Sequence, residues 1–347
     1  MTYDNPFFSV LIPSYNRPNE LRRCLESVLS SDCDDYEIVV SDDNSPRSEE
    51  IREVIASFDS EKIRFFSQSK NLREPGNKNF LINQAAGRYN IILGDDDSLG
   101  ARSLNFLREY IKRNPVSDIY GLGYNIVDEV GNLISNHAST KSLLLEEFKS
   151  RTLVLEAGLL PMALFHPATF CCRTGLEKEI PYREDVGIGE DLCFLLEALL
   201  AKKSIQIVPR ALFNWRKVQD TESVSQGNQS GQFLASFVAK QRMYKFLASC
   251  PVSDHQFRKH ILSPSFRFKF MYLELMRLKD VTTDDLGQHM DEEMIVEYKR
   301  FKKSVIWRLY FLMVRPIRVL QLCSLVGTMQ AFRILFRRKL NKRLLRR

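Results

Sequence analysis

The seven cysteines (24, 33, 171, 172, 193, 250 and 323) contain no C-x-x-C pair, and their odd number excludes a closed disulfide framework. Cys171 and Cys172 are neighbours in a strand-like stretch, which predicts buried thiols rather than ligands and fits a reducing cytosol. The start, Met1 to Ser9, lacks both a basic cluster and a long apolar run, so no secretory signal is expected. No Gly-rich loop follows the first apolar stretch. In the C-terminal region the longest charge-free run is 14 residues, Val319 to Phe332, short of the roughly 20 that a spanning helix needs. Acidic residues are missing altogether from 299–347, where 15 Lys and Arg lie. The net charge of +7 therefore divides into a body of −8 over the first 298 residues and a strongly basic tail. Its basic residues alternate with Leu, Ile, Val and Phe, the pattern of an interfacial amphipathic helix on a membrane surface rather than a nucleic-acid arm.

The rest of the composition is globular, with 44% hydrophobic and 27% charged residues over 347 positions, enough for one large domain or two ordinary ones. Apolar stretches at 7–13, 36–41, 63–67, 89–94 and 118–127 read as strands. Helical periodicity separates them, over about 18–31, from a Ser45 cap and Pro46 onward, over 76–86, and over 102–113. Gly131-Asn132 predicts a turn into a short strand. This alternation predicts an α/β fold, a mostly parallel Rossmann-like sheet flanked by helices. Further on, 163–173 and 205–208 read as strands and 190–202 as a helix. Residues 218–232 read as a mobile boundary, 233–298 as a helical extension, and 299–347 as the tail.

Acidic residues gather where strands end. Asp42-Asp43 close the second strand and Asp95-Asp96-Asp97 the fourth. Strand ends of a parallel sheet form the rim at which such sheets bind ligands. Carboxylates clustered there repel one another unless a cation sits among them, and a divalent metal holding a phosphate is the economical reading. Glu190-Asp191 open a later helix, where acidic side chains also suit the helix dipole. His166, before Pro167, reads as a structural loop residue, and Trp215-Arg216 as either packing or a sugar and phosphate contact.

In order along the chain stand Pro13-Ser-Tyr-Asn-Arg17, Ser41-Asp-Asp-Asn-Ser45, Gly94-Asp-Asp-Asp97 and Glu190-Asp-Leu192. Together they resemble the family 2 glycosyltransferases of the A-type nucleotide-sugar fold, over about residues 7–217. The resemblance implies a donor half over about 1–130 and an acceptor half over about 131–217. It implies an inverting, metal-dependent transfer from a nucleotide diphosphate sugar, a UDP-sugar in the first instance, to an acceptor hydroxyl, and the basic apolar tail suggests a saccharide or lipid-linked acceptor in polysaccharide assembly at the inner membrane face. Asp191 is the implied catalytic base, with Glu190 a helper or acceptor contact. Asp97 is the implied direct ligand of Mn2+ or Mg2+, with Asp95 on the metal, on ribose or on water, and Asp96 beside them. Pro13, Tyr15, Asp42 and Asp43 are implied to contact the nucleotide, Asp43 facing the base, and Arg73 or Lys78 to counter the diphosphate. Gly94 stands where many members carry a further Asp. The rival readings are nucleotidyl transfer, disfavoured by the missing Gly-rich loop, and a silent membrane-docked binding module, disfavoured by the intact acidic set. No nucleic-acid partner is expected.

Overall fold

A computed structural model describes residues 5–139, 142–145, 169–185 and 189–217, together with Lys259. The readings for 163–168, His166, 218–232, 233–298 and the tail lie outside the described residues, as do Cys250 and Cys323. Apart from Lys259, all the described residues belong to one compact unit. No described helix is long and apolar enough to cross a membrane.

The first half is the parallel core. Strands β1 (Phe8–Ser14), β2 (Tyr36–Asp42), β3 (Ile63–Ser67) and β4 (Tyr89–Ile92) alternate with helices α1 (Pro18–Leu29), α2 (Ser48–Ala56) and α3 (Arg73–Gln84). β1 pairs in parallel with β2 from Phe8–Tyr36 to Ser14–Asp42, and with β4 from Phe8–Tyr89 to Leu11–Ile92. β3 flanks β2. β2 is buried along its whole length, and β1 nearly so. Both carry apolar runs, Val10–Ile12 and Ile38–Val40, without the alternation of a half-exposed strand, and the buried Ser9 hydroxyl donates to Glu37 Oε1 at 2.6 Å. α1 starts with Pro18, whose fixed φ suits a first helical position, and buries Leu21, Cys24, Leu25 and Val28.

One expectation needs correcting here. Ser45-Pro46 does not open α2. The Ser45 side chain turns back onto Asp42, its carbonyl accepts the Ser48 amide at 3.2 Å, and the helix begins at Ser48. The Ser45 Oγ, which a cap would use as its acceptor, instead accepts the Asn16 amide at 2.8 Å.

The second half widens the sheet. It contains β5 (Ser98–Leu99), α4 (Ser103–Arg113), β6 (Ile119–Val127), β7 (Leu133–His137), β8 (Leu143–Leu145), β9 (Phe170–Arg173), the short α5 (Leu176–Glu179), α6 (Glu190–Leu200) and β10 (Ile205–Arg216). The described strands run in the order β3-β2-β1-β4-β9-β6-β10-β5, with β7 on β6 and β8 on β10. β9 enters antiparallel between β4 and β6, while β6 and β10 are parallel to each other. The sheet is thus mostly parallel in its core with antiparallel additions beyond β4. β10 is one strand of 12 residues where 205–208 and a separate connection were expected. Its register shifts between Ile207 and Phe213, around Pro209, which cannot donate to a ladder. Gly123 makes room for that bulge: a Cβ there would meet the Arg210 carbonyl oxygen at 2.7 Å.

Candidate functional site

The C-terminal ends of β1, β2 and β4 form one rim. Asn16 and Asn44, just past β1 and β2, take left-handed φ values of 61° and 59°, which Asn tolerates better than most residues. The two turns are tied together because the Asn16 amide donates to Ser45 Oγ at 2.8 Å. Asp42 is buried and committed to this frame, accepting from the Ser45 hydroxyl and amide and from Ser67 Oγ at 3.5 Å. Asp43 Oδ1 accepts the Leu72 amide at 2.6 Å and so fastens the segment before α3 to the rim. Burial raises the Asp43 pKa against that hydrogen bond. Lys70, Asn71, Leu72, Arg73, Pro75 and Glu184 line a cavity of about 320 Å³ next to this segment. Arg73 sits there with φ of 63°, a strained backbone for a long side chain. Tyr15 is 47% exposed, and Pro13 lies within the β1 ladder opposite Ser41. The side-chain oxygen of Asn16 is buried without a partner among the described residues.

Beyond β4 the chain turns tightly, with the Asp97 amide donating to the Gly94 carbonyl at 3.1 Å. Asp95 accepts from the Tyr15 amide at 3.4 Å and from Arg17 Nη1 at 3.3 Å, and Asp96 accepts from the same Nη1 at 3.0 Å. Asp97 Oδ1 accepts the Arg216 amide at 3.1 Å. That guanidinium itself donates to the Glu129 carbonyl at 2.7 Å. Burial raises all three pKa values, taking Asp95 to about 7, and Asp96 adds to the rise at both neighbours. The Gly94 departure has a local reason: a Cβ there would stand 3.0 Å from Asp96 Oδ1 and 3.3 Å from Asp97 Oδ2. Cys24 of α1 supports the turn from below, its Sγ 3.5 Å from the Gly94 carbonyl oxygen.

The described residues contain no group of three or more His, Cys, Asp or Glu arranged to hold a metal by themselves. The carboxylates at 95–97 nevertheless fit a shared site. They are hard oxygen donors, desolvated and mutually repelling, and Asp97 Oδ2 has no hydrogen bond among the described residues. Mg2+ and Mn2+ suit one or two such carboxylates when water and phosphate oxygens complete the shell.

A second charged cluster joins α3 to α6. Lys78 Nζ lies 2.7 Å from Glu190 Oε1, 2.8 Å from Asp191 Oδ1 and 2.8 Å from Glu74 Oε1. Burial alone would push the Lys78 pKa down, yet Asp191, Glu190 and Glu74 together carry it well above its ordinary value. Burial raises Glu190 to about 8 and raises Asp191 as well, with Lys78 opposing both. The two clusters share a field: Lys78 chiefly, with a smaller part from Arg17, holds the Glu74 pKa down, and Glu74 adds a smaller part to the rise that burial gives Asp96. Asn77 binds α3 to the rim, its Nδ2 donating to the Ser41 carbonyl at 3.1 Å.

The structure therefore brings Asp95, Asp96 and Asp97 to the β1 turn, and Lys78 to Glu190 and Asp191. Arg17, Glu74 and Tyr182 took no part in the sequence-based site. Glu74 and Lys78 were legible as an i, i+4 pair, and Arg17 as the cation closing the first motif. Trp215 is partly buried against the core, edge-on to Tyr124 with ring centres 6.4 Å apart.

The family profile described as glycosyl transferase family 2 matches residues 9–172. A relative from Campylobacter jejuni, GalNAc(5)-diNAcBac-PP-undecaprenol beta-1,3-glucosyltransferase, is 33% identical over 141 residues, 40% of this chain and 44% of that protein. The Escherichia coli UDP-Glc:alpha-D-GlcNAc-diphosphoundecaprenol beta-1,3-glucosyltransferase WfgD is 27% identical over 162 residues, 45% of this chain and 63% of that protein. The chain thus covers less than two thirds of either relative. Among solved structures, S. aureus TarS 1–349 in complex with UDP-GlcNAc superposes with a TM-score of 0.62 at 20% identity, covering 81% of this chain and 78% of that one. This last likeness is one of fold.

Proposed function

We propose, on the footing that residues 9–172 belong to glycosyl transferase family 2, that this chain is an inverting, metal-dependent glycosyltransferase. It moves a sugar from a UDP-sugar to a hydroxyl of a lipid-linked saccharide. The observation that carries the reading is the juxtaposition of two acidic clusters: desolvated carboxylates at the β4 turn, and a carboxylate pair at the start of α6 that shares their field through Arg17 and Glu74. Transfer needs charge neutralised at the leaving diphosphate and a base at the acceptor, and these are the two kinds of group supplied.

Asp43 and the turn around Tyr15 accept the nucleoside, and Asp97 with Asp95 would hold Mn2+ or Mg2+. That metal, when bound, neutralises the leaving diphosphate, so no protein acid is required. Asp191 takes the proton of the acceptor hydroxyl as its oxygen bonds to the anomeric carbon and the bond to the diphosphate breaks. A single displacement with one base inverts the anomeric configuration. Glu190 shares the Lys78 ammonium with that base, at 2.7 Å. The named acceptors of the two relatives and the 15-to-0 charge split of residues 299–347 support a lipid-linked acceptor at a membrane surface.

A thermal-shift panel of UDP, GDP, dTDP and ADP, each with and without Mn2+, tests the donor half of this reading. Binding to the folded state raises the midpoint by mass action. A Mn2+-dependent rise with UDP is expected. A rise with a different nucleotide alone would replace the donor, and no rise with any of them would remove the transferase reading.

A further inference from the structure

We propose that Lys78 is a positioning residue for Asp191, holding that carboxylate ionised and oriented, and not a counter-charge to the donor's diphosphate. The inference rests on reading Asp191 as the base.

An ammonium group has three N–H donors and no more. The three carboxylates at 2.7–2.8 Å, from Glu74, Glu190 and Asp191, supply an acceptor for each. No donor is left for a phosphate oxygen. The residue is 2% exposed, so the group cannot swing out without abandoning buried partners. The Tyr182 ring covers it at 5.4 Å, within cation–π range. Tyr182 is fixed in turn by reciprocal bonds with Asn79, whose Nδ2 donates to the Tyr182 carbonyl at 2.8 Å and whose Oδ1 accepts the Tyr182 amide at 2.9 Å.

The arrangement bears on chemistry because, among the described residues, the Asp191 carboxylate is tied through Oδ1 alone. The other oxygen belongs to a side chain that is 16% exposed. A base needs one oxygen aimed and one open, and misplacing a reacting group by about 1 Å costs on the order of 10²-fold. The charges facing Lys78 are Glu74 from its own helix, Glu190 and Asp191 from α6, and Tyr182, with Arg17 and Asp96 acting beyond Glu74 and Glu177 behind Tyr182. An opposite charge at this distance lowers a carboxylate pKa by roughly 1–3 units, so losing Lys78 should raise that of Asp191.

The test compares Lys78→Met, Lys78→Arg and Asp191→Asn in the full chain, measuring UDP affinity with Mn2+ by calorimetry and the pH profile of kcat. Lys78→Met should bind UDP within about threefold of the parent, lose on the order of 10²-fold in kcat at neutral pH, and shift the acid limb upward by about one pH unit or more. Lys78→Arg, which keeps a cation, should restore the limb. A tenfold or greater loss of UDP affinity with an unmoved limb would overturn the inference in favour of a diphosphate contact. Should Lys78→Met fail to fold, Glu74→Gln serves, because Glu74 is half-exposed and raises the Asp191 pKa. Its acid limb should move down, and an unmoved limb overturns the inference. Asp191→Asn separates the two ideas. Full activity there removes the base reading and this one with it. An inactive Asp191→Asn beside an unmoved Lys78→Met limb removes this inference alone.

Discussion

Glu177 sits at the start of α5 with 1% of its surface exposed, and burial lifts its pKa from 4.5 to about 7. Its main compensation is Asn90 Nδ2, which donates to Oε2 at 2.7 Å, with the Cys172 thiol as a weaker partner. The folded state therefore binds a proton that the unfolded chain has already released between pH 4.5 and about 7. Stability falls wherever the native state holds the extra proton, at about 1.4 kcal/mol per pH unit, so this residue costs about 3 kcal/mol by pH 8. Glu177→Gln keeps an oxygen for Asn90 and cannot ionise. It should be about as stable as the parent at pH 5 and about 3 kcal/mol more stable at pH 8. Of the two tryptophans, Trp215 and Trp307, only Trp215 lies among the described residues. Urea unfolding followed by Trp215 fluorescence in a Trp307→Phe background reads the relevant transition. Asp95 and Glu190 also titrate in this window, but they are common to both proteins and cancel in the difference. If parent and variant lose stability in parallel from pH 5 to 8, the Glu177 carboxyl is not desolvated as described.

Asp191→Asn should lower kcat by about 10²- to 10⁴-fold, the usual worth of a general base, with UDP affinity unchanged by calorimetry. Gly94→Ala places a methyl 3.0 Å from Asp96 Oδ1, so Mn2+-dependent nucleotide binding should weaken several-fold in a thermal-shift titration while the far-UV spectrum is retained. Gly87→Ala would set a Cβ 2.5 Å from the Ser9 backbone nitrogen, and neither β1 nor the turn can yield cheaply. A destabilisation of about 1–3 kcal/mol, read as a lower urea midpoint, is expected there.

The core of the sheet was legible because buried parallel strands carry apolar runs without alternation, as Val10–Ile12 of β1 and Ile38–Val40 of β2 do. The rim was legible for a related reason: Asp42, Asp43 and Asp95 to Asp97 interrupt those runs where the chain leaves the sheet. β10 was cut short because Pro209 marks a strand end in sequence, whereas here it marks a bulge that Gly123 accommodates. The insertion of β9 left no local signal, since its partners lie in strands dozens of residues upstream. The place of Lys78 was hidden for the same reason. Its charge invites a phosphate, and only the fold shows that Glu190 and Asp191, more than a hundred residues away, accept its N–H protons.

The position of β9 also sets a timetable for the chain as it is made. Strands β1 to β4 are complete by Ile92, but the neighbour that closes the β4 edge is not synthesised until Phe170–Arg173. At roughly 5–20 residues per second, that edge stays open for on the order of 4–15 s on the ribosome. An unpaired edge beside a buried strand is a template for association with other nascent chains. The first half of the sheet thus emerges early with an open edge, and its acidic turn at 95–97 precedes helix α6 by almost a hundred residues. Conditions that slow elongation between β4 and β9 should reduce the yield of soluble protein more than an equal delay after β10, where every described strand has already found its partners.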